Sequence, residues 1–324
     1  MRRRIGLLLL ITCCVLLLSS QSVLAAEGSF QKTLTVNGAT SVDIETGSGS
    51  VQVRTGNSNQ VEIRGRIRAT NWFGGSSTDE RVRKIEANPP IQQTGNDIRI
   101  GHIEDPELRR NISISYEVVV PSETRLRSHT GSGSQTVEGI RGPLDLETGS
   151  GSLKFSNIGN TVRAESGSGG IDADRVNGNL RAKSGSGSIR ATDIGGGFDG
   201  ETGSGDITFS QTAPGAVRVE TGSGSMDLRG VRGSLHGQSG SGSIHADGDP
   251  KGPWELHTGS GSVHVKFPSN ASFDLYAHTG SGGVTVNQPI TVQGQLGRKE
   301  VRGKVRNGGV SVQIETGSGG IEIE

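Results

Sequence analysis

One feature narrows what this chain can fold into more than any other: a five-residue motif, Thr/Ser-Gly-Ser-Gly-x. It begins at Thr46, Thr130, Thr148, Ser166, Ser184, Thr202, Thr221, Ser239, Thr258, Thr279 and Thr316, eleven copies in 324 residues. From Thr130 to Thr258 successive copies lie 18 or 19 residues apart. A fixed period of that length marks a stacked repeat, whose units cannot bury their apolar sides alone.

Counting the first Thr/Ser as position 1, aliphatic columns emerge. Position 6 reads Leu153, Ile171, Ile189, Ile207, Met226, Ile244 and Val263, and position 8 reads Phe155, Ala173, Ala191, Phe209, Leu228, Ala246 and Val265. The second half of each unit has its own pair. One column runs Leu144, Val162, Leu180, Phe198, Val217, Leu235, Trp254, Phe273, and the other Leu146, Ala164, Ala182, Val219, Leu256, Leu275. Polar residues such as Lys154, Asp172 and Arg190 sit between the apolar ones. This is period-2 alternation over short runs, so each unit holds two strands.

Stacking the units lays like residues over like at roughly 4.8 Å. The expected fold is therefore all-β: a single-chain parallel β-solenoid, or β-helix, with coils of about 18 residues. Glycine suits the corners, where backbones approach closely. Extending the alternation by twos places the position-1 hydroxyl and the position-3 serine inside, with a bulge expected near the second glycine. The alternative, an exposed hydroxyl array for ice or sugar, fits the fixed parity less well.

Composition agrees with a thin, evenly layered core: aromatics are 3% and glycine contributes 53 residues. The formal net charge is +0. Losing Arg2, Arg3 and Arg4 with a leader leaves 30 basic against 33 acidic residues. A nearly neutral chain gives no electrostatic case for nucleic acid. That leader is expected over 1–25: the three arginines precede the apolar run Ile5 to Leu18, and Val23-Leu24-Ala25 offers a cleavage site. The run is short for a membrane span, so none is expected in the mature chain. Both cysteines, Cys13 and Cys14, fall in the leader. The mature protein then has no disulfide, thiol chemistry or thiolate metal site. An exported protein is expected, in the periplasm, at the cell surface or outside the cell.

Three segments follow: the leader 1–25, N-terminal strands with a capping insertion over 26–129, and the regular coils with C-terminal strands over 130–324. The 84-residue step between Thr46 and Thr130 leaves room for the insertion. Within it, Ser77-Thr78-Asp79-Glu80 before Arg81 to Ala87 reads as one short helix, stopped by Pro89-Pro90. A cap is needed because a terminal coil exposes open strand edges. Near the other end, Gly294 to Glu300 reads as an exposed loop.

A resemblance becomes specific at Tyr116-Glu117-Val118-Val119-Val120-Pro121 followed by Thr130-Gly131-Ser132-Gly133. A second stretch carries it too: Val301-Arg302-Gly303-Lys304, Gly308-Gly309, and Ile314-Glu315-Thr316-Gly317-Ser318-Gly319-Gly320-Ile321. Over about residues 30–324 the chain resembles the bacterial family of unknown function labelled "putative adhesin". The resemblance implies an exported parallel β-repeat protein of the cell envelope, and no catalytic residues come with it.

Candidate chemistry is sparse. Five of the seven histidines, His236, His245, His257, His264 and His278, fall close together. His245 and His264 share position 7, and His257 and His278 share the residue before the motif. Each pair is expected one strand spacing apart, close enough to share a soft divalent metal. A solvated polar face is the stronger reading, because no cysteine or acidic ladder accompanies them. Gly203-Ser204-Gly205-Asp206 resembles part of a calcium nonapeptide, yet other coils lack the aspartate. Glu147, Glu165, Glu201 and Glu220 share a file with Lys183 and Gln238, which suggests cross-coil pairing rather than acid/base work. No nucleophile–base grouping, phosphate loop or dinucleotide fingerprint occurs, so no cofactor is expected. The expectation is a non-enzymatic scaffold or adhesion surface whose partner is a cell-surface glycan, peptidoglycan or an envelope protein. The alternatives are a glycan-active enzyme on a β-helix core and, third, an ice-binding hydroxyl array.

Overall fold

The computed structural model describes residues 26–69, 76–292 and 297–324. The expected leader with Cys13 and Cys14, the side chain of Ser77 and residues 294–296 of the expected loop lie outside the described residues. Those described form two long sheets of 15 and 14 strands, facing each other across the aliphatic columns. Sheet I takes the strand before each motif, as in Leu144–Thr148, and sheet II the strand after it, as in Leu153–Ile158. Neighbouring coils are parallel and in register: Leu144 pairs with Val162 and Leu180 in turn, and Leu153 with Ile171 and Ile189. The parallel β-solenoid expected from the period is the fold observed.

The corner differs from the expected parity. The position-1 hydroxyl is buried, as at Thr148, but the position-3 serine is exposed in all eleven copies and the second glycine turns inward. The parity breaks at the first glycine and serine, not after them. The reason is a hydrogen-bond relay. Thr148 Oγ1 accepts from its own Gly151 N–H at 3.0 Å and donates to the Gly133 carbonyl of the preceding coil at 3.1 Å. Ser166, Ser184, Thr202, Thr221, Ser239 and Thr258 repeat the pair of bonds. Each buried hydroxyl is thus satisfied as donor and acceptor. The second glycine is obligatory, since a Cβ on Gly151 would stand 2.0 Å from the Gly133 oxygen. Gly151→Ala should therefore cost about 2–3 kcal/mol by overpacking against backbone. Ser150→Ala beside it should stay within about 0.5 kcal/mol. Chemical denaturation of both variants checks this, and equal midpoints would refute the corner geometry.

A further buried column, Ile140, Ile158, Val176, Ile194 and Val231, is not expected from the alternation. Two residues separate Phe155 from Ile158. The second of them, like its equivalents Arg175 and Asp193, takes a left-handed backbone: φ is 57° at Asn157, 54° at Arg175 and 57° at Asp193. Gly139 and Gly230 do the same at φ 81° and 66°. That bulge turns the chain inward once more before the second corner.

The stack does not follow chain order throughout. The Thr46 coil lies directly on the Thr130 coil, with Ser41–Thr46 beside Arg125–Thr130, and the intervening residues build outward. At the other end the coil of Val310–Thr316 and Ile321–Ile323 is inserted between the Thr258 and Thr279 coils. Trp254 pairs with Val312, which pairs with Leu275, and Val263 pairs with Ile321, which pairs with Val284. The expected piling of each segment on its predecessor fails there, and the last columns shift by two, with Leu275 rather than Phe273 in the Trp254 file. Thr316 Oγ1 donates to Gly261 O and Thr279 Oγ1 to Gly319 O, each at 2.7 Å, so the relay continues through the inserted coil.

Antiparallel strands finish both ends. Ala26–Thr35 pairs with Gln60–Ala69 and that with Ile112–Val120, while Glu300–Val305 pairs with Phe273–Thr279. Helix α1, Ser76–Ala87, lies where a helix is expected and buries Val82 and Ile85. It covers the Ala26–Thr35 edge: Ser29 N–H donates to Glu86 Oε1 at 2.8 Å, blocking part of an edge that would otherwise invite strand addition. A second helix, α2 (Pro106–Arg109), is a single turn capped by Asp105, too short to leave a periodic pattern in the sequence.

Candidate functional site

The outward residues of sheet I form two files that run the length of the stack. Strand alternation puts one residue of each strand in each file. The first file passes Arg127, Asp145, Arg163, Arg181, Asp199, Arg218, His236 and Glu255, and the second passes Glu45, His129, Glu147, Glu165, Lys183, Glu201 and Glu220. Opposite charges interleave within and between them. Arg163 Nη2 meets Glu165 Oε2 at 2.8 Å and reaches Asp145 at 3.8 Å. His129 Nδ1 stands 3.5 Å from Glu147, and His236 Nδ1 stands 3.3 Å from Glu255. Lys183 pairs with Glu201, and that hydrogen bond holds the Glu201 carboxyl below its ordinary value. Exposed pairs of this kind add little stability each, and here they recur from coil to coil along the face.

A shallow groove follows each edge of this face. One, of about 730 Å³, runs beside the motif corners from His129 past Glu147, Glu165 and Lys183 to Glu201. The other, of about 700 Å³, runs along the opposite edge over Leu180, Phe198 and Leu235, rimmed by Arg181, Arg218 and Glu255. In both, the lining repeats once per coil.

The histidines singled out in the sequence lie in different surroundings. His245 and His264 are register partners, as expected, with ring centroids 6.0 Å apart. His264 also stands 3.3 Å from Glu322 and 3.8 Å from Glu324, so both its ring nitrogens face carboxylates. His257 and His278 are not neighbours. The inserted coil places Glu315 between them, 3.9 Å from His257, while His278 faces Glu300 at 3.9 Å. The expected pairing fails because it assumes that coils stack in chain order. Among the described residues no group of three or more histidine, cysteine or acidic side chains is arranged to hold a metal. Asp206 accepts from Ser225 N–H at 2.8 Å, a coil-to-coil bond.

Among the described residues no helix is long and apolar enough to cross a membrane. No curated protein matches the chain. Three crystal structures are similar in part. One, of a "putative cell adhesion protein" from Clostridium sporogenes ATCC 15579, is 14% identical, covering 92% of this chain and 98% of that one with a TM-score of 0.22. A second, of a "putative adhesin" from Bacteroides fragilis NCTC 9343, is 9% identical, covering 92% and 97% with a TM-score of 0.29. A third, of a "putative lipid binding protein" from Parabacteroides distasonis ATCC 8503, is 11% identical, covering 91% and 97% with a TM-score of 0.30. The family described as Toastrack DUF4097 matches residues 160–324, the stretch from the third regular coil through the inserted one. That match spans more than half of the chain, from the regular coils through the inserted one, and the chain belongs to the Toastrack DUF4097 family.

Proposed function

We propose that this protein is an exported, non-catalytic scaffold of the cell envelope that holds an extended polymer, a cell-surface glycan or peptidoglycan strand, along the outer face of sheet I. The observation that carries the reading is periodicity. Both grooves run along the stacking axis, and each offers the same kinds of polar side chain coil after coil. A ligand of repeating units meets such a surface many times, and many weak contacts sum to useful avidity. The acids there are partnered by bases, and the hydrogen bond from Lys183 holds the Glu201 carboxyl below its ordinary value. Glycoside cleavage instead asks for an acid whose pKa is raised. The strands and helix of 26–129 serve in this reading as the closed end of the scaffold.

Retention on purified cell-wall polysaccharide tests it. Arg181→Glu with Lys183→Glu should weaken retention several-fold, whereas Arg190→Glu on sheet II should leave it unchanged. No retention of the wild type, or equal loss from both variants, sinks the proposal. Release of reducing sugar from the polysaccharide would establish the glycan-active reading in its place.

A further inference from the structure

Tyr116 is 1% exposed, and among the described residues its hydroxyl has no hydrogen-bond partner. Its ring packs edge-on against Phe30, centroids 6.3 Å apart, and its hydroxyl lies at the backbone of Gly101. There it meets Gly101, where an added Cβ would stand 3.1 Å from the hydroxyl oxygen and 1.8 Å from Glu45 O. Gly101 takes φ 89°, so glycine is what lets the backbone come this close. An unpaired buried hydroxyl is costly, and native structures keep one where water or a ligand completes it. Burial also pushes the Tyr116 pKa above its ordinary value, so the group stays protonated and able to donate.

Tyr116 borders a cavity of about 200 Å³ whose wall also includes Glu45, His102, Arg109, His129 and Ile112. At roughly 30 Å³ per water this is room for about six or seven waters, or one small organic ligand. The charges around it are unevenly matched. Glu45 is taken by His102 Nδ1 at 3.4 Å, and His129 Nδ1 faces Glu147 at 3.5 Å. Among the described residues, the side chain of Arg109, carried on α2, makes no ion pair or hydrogen bond. What remains without a protein partner among the described residues is one exposed guanidinium and one buried phenolic O–H. A planar group with two acceptor oxygens satisfies both, because a guanidinium binds a carboxylate through two parallel N–H bonds.

We propose that this cavity binds the carboxylate of a small ligand, gripped by Arg109 and hydrogen-bonded by Tyr116. The cavity lies where residues 101–112, α2 among them, meet the corners at Thr46 and Gly131. It adjoins the corner groove, since His129 and Gly131 line both, but it stands whether or not that groove holds a polymer.

The carboxylate can come from two sources, a sugar acid or a peptide terminus. Calorimetric titration with glucuronate and with N-acetylalanine separates them, with glucose and N-acetylalaninamide as neutral controls. One acid should bind saturably and its neutral control should not. Arg109→Gln and Tyr116→Phe should each weaken that binding about tenfold or more. Arg109 is exposed, so its variant keeps the fold, and Tyr116→Phe should melt at or above the wild type because it removes an unpaired hydroxyl. The proposal is overturned if neither acid binds up to about 10 mM, where even a millimolar site would register. It is equally overturned if binding ignores both substitutions, or if Tyr116→Phe melts well below the wild type, which would reveal an internal partner for the hydroxyl.

Discussion

Ile189→Asp should destabilise the stack by roughly 4–5 kcal/mol or more, while Arg190→Asp one residue along should change stability by under about 1 kcal/mol. Ile189 is 1% exposed and lies in register between Ile171 and Ile207, so a carboxylate there has aliphatic neighbours above and below. No basic side chain shares that column, and the group must either ionise without a partner or take up a proton at neutral pH. Either route is expensive. Arg190 points outward beside Asp172 and Thr208, so its reversal meets one like charge in water. Thermal and urea unfolding of the two variants reads the difference, and indistinguishable melting would mean that the sheets are not oriented as described.

Removing residues 307–324 should release the far end of the stack and leave the rest folded. The inserted coil buries Val312, Ile314, Ile321 and Ile323. At about 1.5–3 kcal/mol per buried aliphatic these four represent roughly 6–12 kcal/mol, as much as many domains have in total. Without them the Thr279 coil and the antiparallel strand Glu300–Val305 lose their seat on the Thr258 coil. Amide exchange should then show protection lost over 273–305 and kept from Thr130 to Ser239, because coils contact only their neighbours. A different result would be instructive: if 273–286 stays protected, the Thr279 coil has closed down onto Gly261 in place of Thr316.

The two facing sheets were legible because the core columns alternate strictly, and residues such as Leu153 and Phe155 cannot both face inward in a helix. The corner was only half legible. The inward hydroxyl followed from parity, but the outward turn of Ser150 depends on the path that two glycines allow, and glycine leaves many open. The column through Ile158 was hidden by Asn157, Arg175 and Asp193, whose left-handed backbone no side-chain pattern announces. Stacking order was illegible for a deeper reason. Every corner presents the same groups, so nothing in the Thr258, Thr279 and Thr316 copies says which lies beside which, and the placement of His257 and His278 went astray with it. The cavity at Tyr116 draws on residues 45, 102, 109 and 129, contacts that only the folded chain brings together.

The relay of corner hydroxyls carries a consequence for how such rods change over evolutionary time. A coil is recognised by the carbonyl it offers and the hydroxyl it receives, and Thr316 seated on Gly261 shows that a coil far along the chain is accepted as readily as the next one. Length is therefore not written anywhere in particular. Duplication or loss of one whole repeat should leave a sound structure longer or shorter by about 4.8 Å, while a partial repeat of a few codons should be rejected.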